Sequence, residues 1–109
     1  KRAPSSELKR ALILDERRLH QRLLTHLMER QGFHVTAMST LPKALEAHAG
    51  NPWPIVLVDP QIEGLNALLE IAGSTYIALG QPGTSHPAYT YTLPLPLQPD
   101  QIEGVLAQL

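Results

Sequence analysis

Twice in this sequence a run of four apolar residues stops at a carboxylate: Ala11-Leu-Ile-Leu14 before Asp15 and Glu16, and Ile55-Val-Leu-Val58 before Asp59. Side chains alternate along a strand, so an unbroken apolar run is buried on both faces, the condition of a strand inside a parallel sheet. The acid that ends each run then marks where the chain leaves the core. Between the two runs, Leu19, Leu23, Leu24, Leu27 and Met28 repeat at helical spacing within Arg17 to Gln31, and Gly32 stands where such a helix stops. Phe33 to Met38 alternates and is rich in β formers, which predicts a second strand, and Leu41 to Ala49 forms a short helix closed by Gly50-Asn-Pro52.

The same alternation continues beyond Asp59. Leu65, Leu68, Leu69 and Ala72 mark a short amphipathic helix that Gly73 ends, and Thr75 to Leu79 reads as a fourth strand. Gly80 to Pro87 has Gly, Pro and Ser in place of any helical period and reads as a loop. Tyr89 to Leu95 offers a fifth strand, an edge strand because Pro94 and Pro96 cannot serve a central ladder. Ile102, Val105, Leu106 and Leu109 share one face of a last helix from Asp100. Strand and helix in strict alternation predict an α/β fold, a doubly wound five-stranded parallel sheet of flavodoxin-like type. In open sheets of this kind sites form beyond the carboxyl ends of the strands, where Asp15, Glu16 and Asp59 converge.

At 109 residues the chain builds one core: residues 1–10 read as a linker or incoming helix tail, and 11–109 as the domain. With 43% apolar and 17% charged residues it is a folding composition. There is no cysteine, which excludes disulfides, thiolate metal sites and thiol nucleophiles. No apolar run is long enough to cross a bilayer, so a soluble, cytoplasmic domain without direct membrane contact is expected, whether or not its parent protein is anchored in the inner membrane. All nine Lys and Arg fall at or before Lys43, whereas six of the ten acids come after it, a distribution unlike a nucleic-acid surface. His20, His26, His34, His48 and His86 show no metal-ligand spacing, and helix-surface or loop positions account for them. Trp53, between Pro52 and Pro54, reads as a packed residue covering a strand start.

In order and spacing, these segments resemble the receiver domains of two-component signalling. Ala11-Leu-Ile-Leu-Asp-Glu16 is similar to their first strand and acidic pair, Gln31-Gly-Phe-His-Val-Thr36 to the turn into the second strand, Pro54-Ile-Val-Leu-Val-Asp59 to the third strand with its phosphate-accepting aspartate, and Pro96-Leu-Gln-Pro-Asp-Gln-Ile102 to the approach to the last helix. The resemblance implies Asp59 as phosphoacceptor and Asp15, Glu16 and Asp59 as ligands of Mg²⁺, a hard cation that takes oxygen donors. The third helix reads as short, and the stretch from Gly80 to Leu95 departs from the family by about the length of a helix, so the fourth helix is expected to be reduced or missing. Glu16 stands where the family has a second Asp. Gly80 replaces the Thr or Ser that ends strand four, and Leu95 replaces the Lys that precedes a proline at the end of strand five, with Arg17 and Arg18 the only Lys or Arg side chains in reach. Leu95-Pro96 also stands where the family places a cis peptide.

Those departures lead to the expected function: a degenerate or pseudo-receiver, a fragment of a hybrid histidine kinase or response regulator, acting as a phosphorylation-independent regulatory or protein-interaction module. No cofactor and no catalytic turnover are expected of it. Its expected partners are a kinase core, a receiver domain of the same or a partner signalling protein, or a second copy. The rival readings are a Mg²⁺-dependent phosphoacceptor on Asp59, with Arg17 or Arg18 supplying charge, and a small-molecule-sensing module using the same crevice. Carboxylates at strand ends also serve simply as solvated groups or as partners of a helix amino end.

Overall fold

The computed structural model describes residues 10–80 and 88–109. Five parallel strands run β1 (Arg10–Leu14), β2 (His34–Met38), β3 (Ile55–Val58), β4 (Thr75–Leu79) and β5 (Tyr89–Leu93) in chain order. They lie side by side as β2-β1-β3-β4-β5. The described residues hold four helices, α1 (Arg18–Arg30), α2 (Leu41–Gly50), α3 (Asn66–Leu69) and α4 (Pro99–Leu106). This is the flavodoxin-like doubly wound order, as expected, and the third helix is a single turn. Residues 81–87 lie outside the described residues, and with them the expectation of a reduced fourth helix and the position of His86. The linker assigned to residues 1–10 lies outside them too, except Arg10, which opens β1.

The apolar runs are buried on both faces, and alternation divides them between two layers. Ala11, Ile13, Ile55, Leu57, Ile77 and Leu79 pack under α1 and α4, against Leu24, Leu27, Met28, Ile102 and Leu106. Leu12, Leu14, Val56 and Val58 face the other way, onto Ala44 of α2 and Leu68 and Leu69 of α3. α1 ends in the hydrogen-bond pattern of a Schellman turn: the Phe33 N–H reaches the Met28 carbonyl and the Gly32 N–H the Glu29 carbonyl, each at 3.0 Å, with Gly32 at φ 92°. Leu19 departs from its expected place on the buried stripe and is 78% exposed. The inward face is set by Leu24, Leu27 and Met28, and Leu19, five residues before Leu24, falls well off it at 100° per residue. Among the described residues no helix is long and apolar enough to cross a membrane.

His48 departs from the surface position expected for it. It lies one turn beyond Ala44 on the inward face of α2 and is fully buried. At the amino end of the sheet its Nδ1 accepts from the Trp53 N–H at 2.9 Å. That contact leaves the ring proton on Nε2, which donates to the Tyr76 hydroxyl at 2.9 Å. Tyr76 in turn donates to the carbonyls of Leu68 and Ile71 beside α3, 2.9 and 2.6 Å away. Trp53 also carries the Arg10 guanidinium 4.2 Å from its ring centroid. One imidazole therefore joins α2, the entry to β3, β4 and the end of α3.

Burial, reinforced by the positive charge of Arg10, holds the His48 imidazole below its ordinary value of 6.5. The unfolded chain therefore takes up this proton at a higher pH than the folded one, so the network's contribution is complete above about pH 6.5 and declines as the pH falls below it. The denaturation midpoint is expected to drop between about pH 7 and pH 5. His48→Leu, which leaves the Trp53 N–H without its acceptor, is expected to lose roughly 1–3 kcal/mol at neutral pH and to flatten that slope. Urea titrations of both proteins across this range provide the check, and an unchanged slope in the variant would assign the effect to another group.

Candidate functional site

β1 and β3 are neighbours, and their hydrogen bonding continues one residue past each strand. The Asp59 N–H donates to the Leu14 carbonyl at 2.9 Å, and the Asp15 N–H to the Met38 carbonyl at 3.2 Å. The two aspartates consequently leave the carboxyl end of the sheet side by side. Asp15 is fully buried, whereas the Asp59 side chain keeps 15% of its surface.

A buried carboxylate needs partners, and those of Asp15 come from the start of α1. Arg17 grips it in a fork, Nε to Oδ1 at 2.9 Å and Nη2 to Oδ2 at 3.0 Å, while the Arg17 N–H adds a third bond to Oδ1 at 2.8 Å. His20 shares the inward face with Leu24 and Leu27, and its Nδ1 stands 2.9 Å from Oδ2. The Gln21 side-chain amide donates to the Asp15 carbonyl and, at 3.1 Å, to the Ser39 hydroxyl. Both carboxylate oxygens of Asp15 thus meet two donors each. Arg17 then reaches across, its Nη2 lying 3.4 Å from Oδ2 of Asp59, whose Oδ1 accepts from the Gln61 N–H at 3.0 Å.

Burial alone would push the Asp15 carboxyl up. The hydrogen bonds from the Arg17 guanidinium, the Arg17 N–H and His20, together with the guanidinium charge, outweigh it and hold the group below its ordinary 3.8.

Of the residues singled out from sequence, the structure brings Asp15 and Asp59 together and leaves Glu16 exposed. Among the described residues no group of three His, Cys, Asp or Glu side chains is arranged to hold a metal ion. The Mg²⁺ implied for Asp15, Glu16 and Asp59 does not fit this arrangement. The lone-pair positions of Asp15 are taken, and a guanidinium occupies the space between the carboxylates. Sequence reading placed Arg17 within reach but missed its fork onto Asp15, and missed His20. The signal for His20 was its spacing of four and seven residues from Leu24 and Leu27.

On the other side of the site, Gly80 and Leu95 lie against each other. Gly80 follows β4 at φ 102°, its N–H bonded to the Leu93 carbonyl at 2.7 Å. A Cβ at this position would stand 3.0 Å from Leu95 Cδ1 and 3.2 Å from Cγ. The Leu95-Pro96 peptide is cis, as the resemblance implies. At the two positions where the sequence departs from the receiver pattern, the structure holds an apolar contact. Separately, a groove of about 490 Å³ between Arg10, Phe33, His34 and Trp53 lies at the amino ends of β1 and β2, the end of the sheet opposite these carboxylates.

No protein-family model matches the sequence, and no curated protein matches it. Solved structures do. The chemotaxis response regulator CheY4 of Vibrio cholerae superposes with a TM-score of 0.75 at 14% identity, over 91% of this chain and 96% of that one. A CheY-like response regulator receiver domain from Methylobacillus flagellatus gives 0.75 at 18% identity, over 92% and 97%. The response regulator PhyR from Brucella abortus gives 0.73 at 18% identity, covering 97% of this chain and 51% of PhyR. The chain therefore has the receiver-domain fold.

Gly80→Thr places a β-branched residue at a positive φ and drives its Cβ into Leu95. It is expected to cost roughly 1–3 kcal/mol. Leu95→Lys alters a side chain that is 42% exposed and is expected to change stability by less than about 0.5 kcal/mol. Thermal unfolding of the two variants checks this asymmetry. In an NMR carboxyl titration, Asp15 is expected to protonate below 3.8, so its stabilising contribution is complete above that pH and is lost as the pH falls through the lowered value.

Proposed function

We propose that this domain is a receiver-like signalling module that works through protein contacts without phosphorylation of Asp59. The observation that carries this reading is the Gly80–Leu95 contact, an apolar pair on the side of the site where phosphoryl charge would need a hydroxyl donor and a cation. Lys43 is the last Lys or Arg of the chain, so no ammonium or guanidinium after it replaces the missing cation. The acceptor is also restrained, since Asp59 Oδ1 is bonded to the Gln61 N–H and Oδ2 faces Arg17. Losing a preorganised donor and a cation from developing phosphoryl charge raises the barrier by several kcal/mol, or orders of magnitude in rate.

The parent protein in this reading is a hybrid histidine kinase or a response regulator on the cytoplasmic side, with this domain as a non-catalytic, cofactor-free part. Its partners are a kinase core, a receiver domain of the same or another signalling protein, or a second copy. The domain would contribute a fixed surface whose availability depends on the parent protein.

The test is exposure of the chain to Mg²⁺ with acetyl phosphate, and separately with beryllium fluoride, read by intact mass and by amide shifts in wild type and Asp59→Asn. The expected result is no phosphoaspartate and no Asp59-dependent shifts. Stoichiometric modification of wild type that vanishes in the variant would establish the phosphoacceptor reading in its place.

A further inference from the structure

The two aspartates are joined by a cation that belongs to the chain. Arg17 sits immediately before α1, and its own carbonyl accepts from the Gln21 N–H at 3.1 Å, so its backbone is part of the first helical turn. Its N–H and guanidinium both engage Asp15, so root and head of the side chain are fixed against the same carboxylate. The same Nη2 that binds Asp15 also faces Asp59. A cation bridging two carboxylates from adjacent strand ends is the arrangement that a divalent ion ordinarily supplies, and Asp15 has no acceptor position left over.

We propose that Arg17 is the resident cation of this site: its guanidinium replaces a divalent ion between Asp15 and Asp59, so that charge balance there is internal and metal-independent, and its removal exposes a divalent-cation site. Without the guanidinium each oxygen of Asp15 loses one donor, keeping the Arg17 N–H on Oδ1 and His20 on Oδ2, while Asp59 Oδ2 becomes free. Mg²⁺ and Mn²⁺ need only one or two carboxylates when water completes the shell. The inference deepens the preceding reading, but it is read by metal binding and not by phosphate transfer, so the two fail separately.

The experiment is a titration of the whole chain with Mg²⁺ and with Mn²⁺, followed by thermal unfolding and by the amide resonances of Asp15 and Asp59, Mn²⁺ reporting through paramagnetic broadening. Wild type is expected to show no saturable response at millimolar metal. Arg17→Ala is expected to melt at a lower temperature without metal and to regain part of the loss with either ion, together with saturable changes at both aspartates. Arg17→Ala/Asp59→Asn is expected to lose the metal response. Arg17→Gln keeps a donor toward Asp15 without the charge, and decides the matter if the alanine variant does not fold. Saturable binding at the aspartates of wild type would overturn the proposal, and so would a folded Arg17 variant that ignores both ions.

Discussion

A carboxylate with no exposed surface is the constraint on which the carboxyl end of this domain depends. Asp15 is delivered there by β1, the neighbour of both β2 and β3, and burial disfavours its charge. What keeps it ionised is the start of α1: the Arg17 fork, the Arg17 N–H and His20, with Gln21 holding the Asp15 carbonyl. The same contacts therefore set the entry of α1 onto the sheet, which fixes the inward face of Leu24, Leu27 and Met28 further along. Electrostatic compensation at one residue and hydrophobic packing of the helix are two ends of one arrangement.

The amino end is closed by different chemistry. There the central group is neutral, an imidazole that accepts from one backbone N–H and passes a hydrogen bond through Tyr76 to the end of α3. α3 is one turn long and makes little helix of its own, so Leu68 and Leu69 in the core and the Tyr76 bonds to its carboxyl end hold it in place. The domain thus has a charged tie at the carboxyl end of the sheet and an uncharged one at the amino end, and they respond to pH in different ranges.

Much of the fold was legible because four-residue apolar strands leave few alternatives. Ala11 to Leu14 and Ile55 to Val58 can only be two-sided core, and acids at their ends locate the rim. The site was less legible. Asp15 and Asp59 follow from strand ends, but the fork of Arg17 depends on side-chain reach, which spacing along the chain does not encode. His20 and His48 were read as surface residues because histidine is compatible with water, although both lie at helical spacing from buried residues, Leu24 and Ala44. Leu19 failed in the opposite sense: an apolar residue near the stripe but off its axis, free to be exposed at little cost. Face geometry, counted from the most buried residue and not from residue type, would have placed all three.

The contact between Gly80 and Leu95 makes the two positions sterically dependent on each other. A backbone held at φ 102° is closed to β-branched residues, and the space a side chain would need is already filled from the other strand end. Placing a hydroxyl-bearing side chain there takes a backbone rearrangement and a change at Leu95 together. Coupling of this kind works as a ratchet: a side chain added at position 80 meets a stability barrier unless residue 95 changes with it.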